Sequence, residues 1–187
     1  MSSTLNAHAV LAGANHPSRL ILGIDPSGNF AEGKGTTGFA LYDPEADKVL
    51  CTDAVGSEED ECAEAYWRRV ILYIETIYLR FKGELILSME SYILYDHKGT
   101  QQTWSSMETP QLIGAIRYFA FDHQIILYMR PAVQVKKRWS NEILEHKQYI
   151  EKCSNSHTLP GCNHKLATHE LDAIRHALHC AKFEVNE

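Results

Sequence analysis

The chain has 187 residues, of which 44% are apolar and 22% charged, with 11 Gly, 6 Pro and a formal net charge of −6. That composition is one globular domain with a sizeable core, and it excludes fibrous, low-complexity and disordered classes. The acidic average argues against a protein that coats nucleic acid nonspecifically, yet it leaves room for a local basic patch and for a carboxylate-rich metal site.

No window approaches the roughly 18 uninterrupted apolar residues of a membrane span, so no membrane association is expected. Residues 1–18 carry no Lys or Arg, and their apolar stretch Ala9-Val-Leu-Ala12 is short. They read as a flexible N-terminal tail rather than a signal peptide. Residues 19–187 then form a single domain, and a cytoplasmic location is expected. The scattered cysteines 51, 62, 153, 162 and 180 read as reduced thiols.

Arg19-Leu-Ile-Leu-Gly-Ile-Asp25 is an apolar run without alternation, as in a central strand covered on both faces. A glycine-rich turn follows, and residues 36–42 and 48–55 predict two further strands around the turn Asp43-Pro-Glu-Ala-Asp47. Ser57 and Asp60 suggest a helix start. Apolar residues at 63, 66, 67, 70, 74, 77, 78 and 81 then keep a helical spacing. Glu84–Glu90 predicts a fourth strand, and residues 91–108 a polar, aromatic-dotted loop. Thr109-Pro110 is read as the N-cap and N1 of a helix to about Asp122. Gln124–Met129 predicts a fifth strand, with helical segments after Pro131 and over 141–152. Residues 153–165 read as a loop, and 166–183 as a closing helix. The order is βββαβαβα, an α/β domain.

Four side chains stand out by position. Asp25 ends the first strand and Glu90 the fourth, while His169 and Asp172 share one face of the last helix. Alone, each has an ordinary explanation: a turn cap before Pro26, a strand-ending acid, a surface helix residue. Together they suggest a crowded acidic pocket, costly to bury unless cations compensate. Such a pocket suits two divalent ions about 4 Å apart, a device for phosphodiester hydrolysis. Hard oxygen ligands favour Mg²⁺, with Mn²⁺ able to substitute.

Leu22-Gly-Ile-Asp25-Pro-Ser, Glu90, Gln134-Val-Lys136 and His169-Glu-Leu-Asp172-Ala resemble the RuvC-type Holliday junction resolvases of the RNase H-like superfamily, over about residues 19 to 183. The resemblance implies a mixed sheet with helices on both faces. It implies a metal-dependent endonuclease that resolves Holliday junctions or other branched DNA, working as a homodimer in a bacterial or phage-infected cell. Asp25 would bridge both metals, Glu90 would serve one, and His169 with Asp172 the other. Lys136 would lie near the scissile phosphate, with Lys137 and Arg138 as alternatives. The family's loop after the fourth strand feeds the DNA-binding face. Here it makes Tyr92, Tyr95 and Trp104 candidates to stack on bases, or else to pack the loop. The short length and the loops point to a phage-type or divergent member; segment 28–38 is longer than a tight turn, whereas His169 is within the pattern, since the family has either Asp or His there.

Lys136-Lys137-Arg138 is the densest basic cluster, either a phosphate contact or a solvated helix face. Cys153, His157, Cys162 and His164 form a C-x3-H-x4-C-x-H set that matches no common zinc spacing. His176 is a candidate to orient Asp172, or a partly buried helix residue. Three other readings compete: a nuclease of RNA or RNA–DNA hybrids, a non-catalytic nucleic-acid-binding domain, and an actin-like or sugar-kinase-like nucleotide binder suggested by Gly35-Thr-Thr-Gly38. The last needs two related domains. A proofreading exonuclease is disfavoured, because Asp25 is followed by Pro26 and Ser27 where that class wants D-x-E.

Overall fold

The computed structural model describes residues 19–28, 30, 35–58, 60, 62–81, 84–92 and 107–185. The described residues form seven strands: β1 Leu20–Asp25, β2 Thr36–Asp43, β3 Lys48–Gly56, β4 Leu85–Glu90, β5 Ile126–Arg130, β6 Glu151–Cys153 and β7 Ser156–Thr158. The helices are α1 Ala63–Phe81, α2 Glu108–Asp122, α3 Ala132–Arg138, α4 Asn141–His146 and α5 Thr168–Phe183. The main sheet runs β3-β2-β1-β4-β5, with β6 and β7 forming a separate hairpin. β1 pairs antiparallel with β2 and parallel with β4, so it lies at the centre.

All six residues of β1 are buried, which explains its lack of alternation: both faces are covered. Because successive side chains point to opposite faces, Leu20, Leu22 and Ile24 enter one apolar layer and Ile21 the other. The first layer is closed by α1, through Tyr66, Val70, Ile74 and Ile77, and by α2, through Leu112, Ile113 and Ile116. The second is closed by α5 with residues from α3 and α4, including Val135 and Leu144. This is the mixed α/β, RNase H-like arrangement with helices on both faces.

The expected βββαβαβα order holds, with changes at its joints. Helix α1 begins at Ala63 rather than near Ser57, whose N–H instead donates to the Gly35 carbonyl at 2.8 Å. Helix α2 begins at Glu108, with Met107 at the N-cap in the left-handed region (φ 52°). Thr109 is therefore no N-cap; its Oγ1 accepts the Gly28 N–H at 2.9 Å and ties the segment after β1 to α2. The expected loop 153–165 contains half of the β6–β7 hairpin, turned at Ser154 (φ 54°). The helical expectation over 141–152 shortens to Asn141–His146. The tail expected over 1–18 lies outside the described residues.

One packing feature positions everything chemical. On the α5 face of β1 and β2, Gly23 and Gly38 leave no side chain between strand and helix. A Cβ on Gly23 would stand 2.0 Å from the Ala173 carbonyl oxygen, and one on Gly38 would stand 2.2 Å from the His169 carbonyl carbon and oxygen. Helix α5 thus rests backbone-to-backbone on the sheet, a close approach that only glycine permits.

Candidate active site

Asp25 and Glu90 lie on the α5 face at the carboxyl ends of neighbouring parallel strands, one residue beyond the Ile24–Met89 pair. Asp25 is 5% exposed. Over the glycine floor, the first turn of α5 brings His169 to it, and Nδ1 donates to Asp25 Oδ2 at 2.6 Å. That hydrogen bond, more than the opposing effect of burial, raises the His169 pKa. Glu90 is pushed up to about 7, first by burial, then by the charge of Asp25 and its hydrogen bond, and also by the charge of Asp172. Such a shift is the signature of carboxylates crowded together away from water.

Asp172, buried one turn along α5, is compensated from its own chain. Lys136 Nζ, reaching in from α3, stands 2.7 Å from Oδ2, and the Arg175 guanidinium holds Oδ1. Arg175 also donates to the Trp139 carbonyl at 2.9 Å and to Asn141 Oδ1, linking α5 to the α3–α4 connection. Asp25, Glu90, His169, Asp172 and Lys136 are therefore brought together from four elements distant in the chain.

The remaining expectations divide. Of the basic cluster, Lys136 alone is paired with a described carboxylate of the site; Lys137 is exposed, and Arg138 lies over the Phe183 ring, 4.2 Å from its centroid. Tyr92 packs against the apolar layer under α1 and α2. Tyr95 and Trp104 lie outside the described residues. His157 is paired with Glu145 at 2.8 Å and His164 with Glu170 at 3.0 Å, so the Cys153, His157, Cys162, His164 set is not drawn into one group. His176 does not orient Asp172: it is 2% exposed, its Nδ1 has no hydrogen-bond partner among the described residues, and burial depresses its pKa to about 4. Its backbone is the useful part, since the carbonyl accepts Ser88 Oγ at 2.9 Å and fixes α5 on β4.

Sequence reasoning passed over Arg175 and the part that Gly23 and Gly38 play in seating α5. The arginine had a signal, its i+3 spacing from Asp172. The glycines had another, their place inside strand patterns.

Among the described residues, no three His, Cys, Asp or Glu side chains already enclose a common metal position. Both Asp172 oxygens are turned to Lys136 and Arg175. The donor chemistry nonetheless fits a hard divalent cation. Buried Asp25, half-buried Glu90 and the His169 imidazole adjoin at one edge of the sheet, and the raised pKa of Glu90 reflects burial and its acidic neighbours.

A mixed α/β sheet of order β3-β2-β1-β4-β5 with helices on both faces is an RNase H-like fold. The solved structures that share it include Thermus thermophilus RuvC in complex with a Holliday junction substrate, with TM-score 0.62, 18% identity, and 87% of this chain and 92% of that one covered. A structure of Thermus thermophilus RuvC without such a description matches with TM-score 0.60 and 18% identity, covering 87% and 93%. The fold of the chain is thus RuvC-like. No family model matches the sequence, and neither does any curated protein. Among the described residues no helix is long and apolar enough to cross a membrane.

Proposed function

We propose that the chain is a divalent-cation-dependent endonuclease that cuts branched DNA, with the four-way junction as its preferred substrate. The observation that carries the reading is the meeting of Asp25 and Glu90 with His169 and Asp172 on the bared face of β1 and β2. Its support from outside the chain is the likeness in fold to RuvC, one structure of which holds a Holliday junction.

Asp25 and Glu90, with His169 and Asp172 beside them, are the residues that would hold Mg²⁺ or Mn²⁺. When bound, the cation supplies charge neutralisation at the phosphodiester and a more acidic water nucleophile. The protein's own contributions follow from its contacts. His169, donating to Asp25, fixes the orientation of that carboxylate. Lys136 carries a mobile positive charge at the edge of the cluster, 51% exposed, where it can exchange Asp172 for a phosphate oxygen. Lys137, exposed on the same helix, extends the positive surface towards the backbone. The reaction is in-line displacement of the 3′ oxygen by water, leaving 5′-phosphate and 3′-hydroxyl ends.

The dimer belongs to the same proposal. A junction with two-fold symmetry must be nicked on two opposed strands, so a two-fold pair of sites matches it. Tyr118 and Phe121, 70% and 82% exposed on α2, offer apolar surface to a second copy. Light scattering that finds only monomer at cleavage concentrations would remove this part. A cytoplasmic location in a bacterial or phage-infected cell follows from the substrate.

The test is cleavage of labelled four-way DNA, linear duplex and an RNA–DNA hybrid, each with and without EDTA. The four-way DNA should be cut with Mg²⁺ or Mn²⁺ and left intact with EDTA. Asp25→Asn should abolish cutting while sparing junction binding. Cutting that survives EDTA, or an Asp25→Asn protein as fast as wild type, refutes the reading. Preferential cutting of the hybrid would move the substrate to RNA.

A further inference from the structure

Arg175 is the most heavily engaged charged side chain of α5. It is 11% exposed, and its donors reach the Asp172 carboxylate, the Asn141 side-chain oxygen and the Trp139 carbonyl. A buried guanidinium is costly unless its donors are satisfied, and these contacts satisfy it. The consequence falls on Asp172. With Arg175 on Oδ1 and Lys136 on Oδ2, both oxygens are committed to cations of the same chain. Among the described residues Asp25 and Glu90 have no such pair of cations: an imidazole donates to Asp25, while burial and its acidic neighbours raise Glu90.

The cluster therefore has two electrically unequal poles. In the forms that can ligate a cation, Glu90 ionised and His169 neutral, three carboxylates stand against two permanently cationic side chains, which leaves one net negative charge. A first divalent cation turns that into one positive charge. A second would make it three, before any phosphodiester arrives to offset it.

We propose that Arg175 is a positioning residue that sets the order of cation loading. It keeps Asp172 neutralised, so that without DNA the cluster binds one divalent cation tightly, at the Asp25–Glu90 pole. The second becomes tight only when nucleic acid brings negative charge and draws Lys136 away. By also holding Trp139 and Asn141, Arg175 places the Lys136-bearing segment and Asp172 as one unit. This rests on the cation-dependent reading above and deepens it.

The experiment is a Mn²⁺ binding isotherm on the full chain without DNA, read by the electron paramagnetic resonance of free Mn²⁺. Wild type should hold one tight ion per chain. Arg175→Gln should tighten a second by about ten-fold or more, the effect of removing one unit charge roughly 6 Å from a divalent ion in a water-like dielectric. Arg175→Lys, which keeps the charge, should stay with one. A merely structural arginine predicts the opposite sign, with looser binding in a loosened site. Should Arg175→Gln fail to fold, Lys136→Met removes the other cation on Asp172 from a half-exposed position and should tighten the second ion likewise. Two equal tight ions in wild type, or isotherms unmoved by both neutralising variants, overturn this proposal alone. No Mn²⁺ bound by wild type overturns the cation reading as well.

Discussion

Gly38→Ala tests whether the bared face of the sheet creates the site. The added Cβ would lie 2.2 Å from the His169 carbonyl carbon and oxygen and 2.7 Å from the Glu170 nitrogen. These are backbone atoms of a helix end, so no side chain can rotate away. Relief requires the first turn of α5 to retreat by roughly 1 Å, and a misplacement of that size is able to cost about 100-fold in rate. Overpacking of this kind destabilises by about 1–3 kcal/mol, and contact with rigid backbone puts Gly38→Ala near about 3. For a chain of this length that is roughly 6–12 °C in melting temperature. The assay is a thermal melt by circular dichroism, beside single-turnover cleavage of four-way DNA below the melting range of the variant. Junction binding should be nearly unchanged, since the DNA-facing charges are untouched. Gly114→Ala is the matched control: it lies on the exposed side of α2, where an added Cβ meets nothing within 4 Å. It should gain up to about 1 kcal/mol from helix propensity and leave cleavage alone. A Gly38→Ala protein with wild-type melting and rate would show that α5 does not need the glycine floor.

Further outcomes follow from single groups. Lys136→Ala should slow the chemical step by about 10–100-fold with little change in junction binding; an unaltered single-turnover rate would deny the lysine its role. Burial holds His176 neutral, with a pKa of about 4 against about 6.5 in the unfolded chain. The unfolded state therefore binds the extra proton first as pH falls. This contribution to stability is complete well above pH 6.5 and is lost between there and about 4, near 2 kcal/mol of it from pH 7 to pH 5. In urea melts, His176→Leu should lose about 2 kcal/mol less than wild type over that interval; equal losses would refute the assignment.

Much of this arrangement was legible because it follows from local rules. Leu20–Ile24 is apolar without alternation since α1, α2 and α5 cover both faces of β1. Once β1 and β4 run parallel, Asp25 and Glu90 must end together. The helical repeat then puts His169 and Asp172 on one side of α5. What escaped depends on contacts that no local pattern announces. The β6–β7 hairpin is short, polar and exposed at β6, so no apolar alternation marks it. Helix α2 starts with a left-handed Met107 in place of a side-chain cap, because Thr109 is engaged by Gly28. Tyr92 reads equally well as a DNA contact or as packing, and only the tertiary structure places it against the core. Arg175 satisfies an i+3 pair with Asp172 that sequence can show, but its other two partners come from residues more than thirty positions away.

The economy of the site lies in α5 doing two jobs with alternate faces of one helix. Ile174, Ala177 and Leu178 are fully buried against the sheet, and burying side chains of this size stabilises by roughly 1–3 kcal/mol each for the larger ones. His169, Asp172 and Arg175 ride on the same rigid rod. Gathering like charges around Asp25 is unfavourable, and a site assembled from loops would relieve the strain by drifting apart. Here drifting apart would require lifting the helix and exposing its apolar stripe, so hydrophobic burial offsets electrostatic repulsion through a shared backbone. The contact of Ala173 and Ala177 with Gly23 makes that coupling stiff, because neither partner has a side chain long enough to yield. Repulsion held in place by packing is what gives a divalent cation something to relieve.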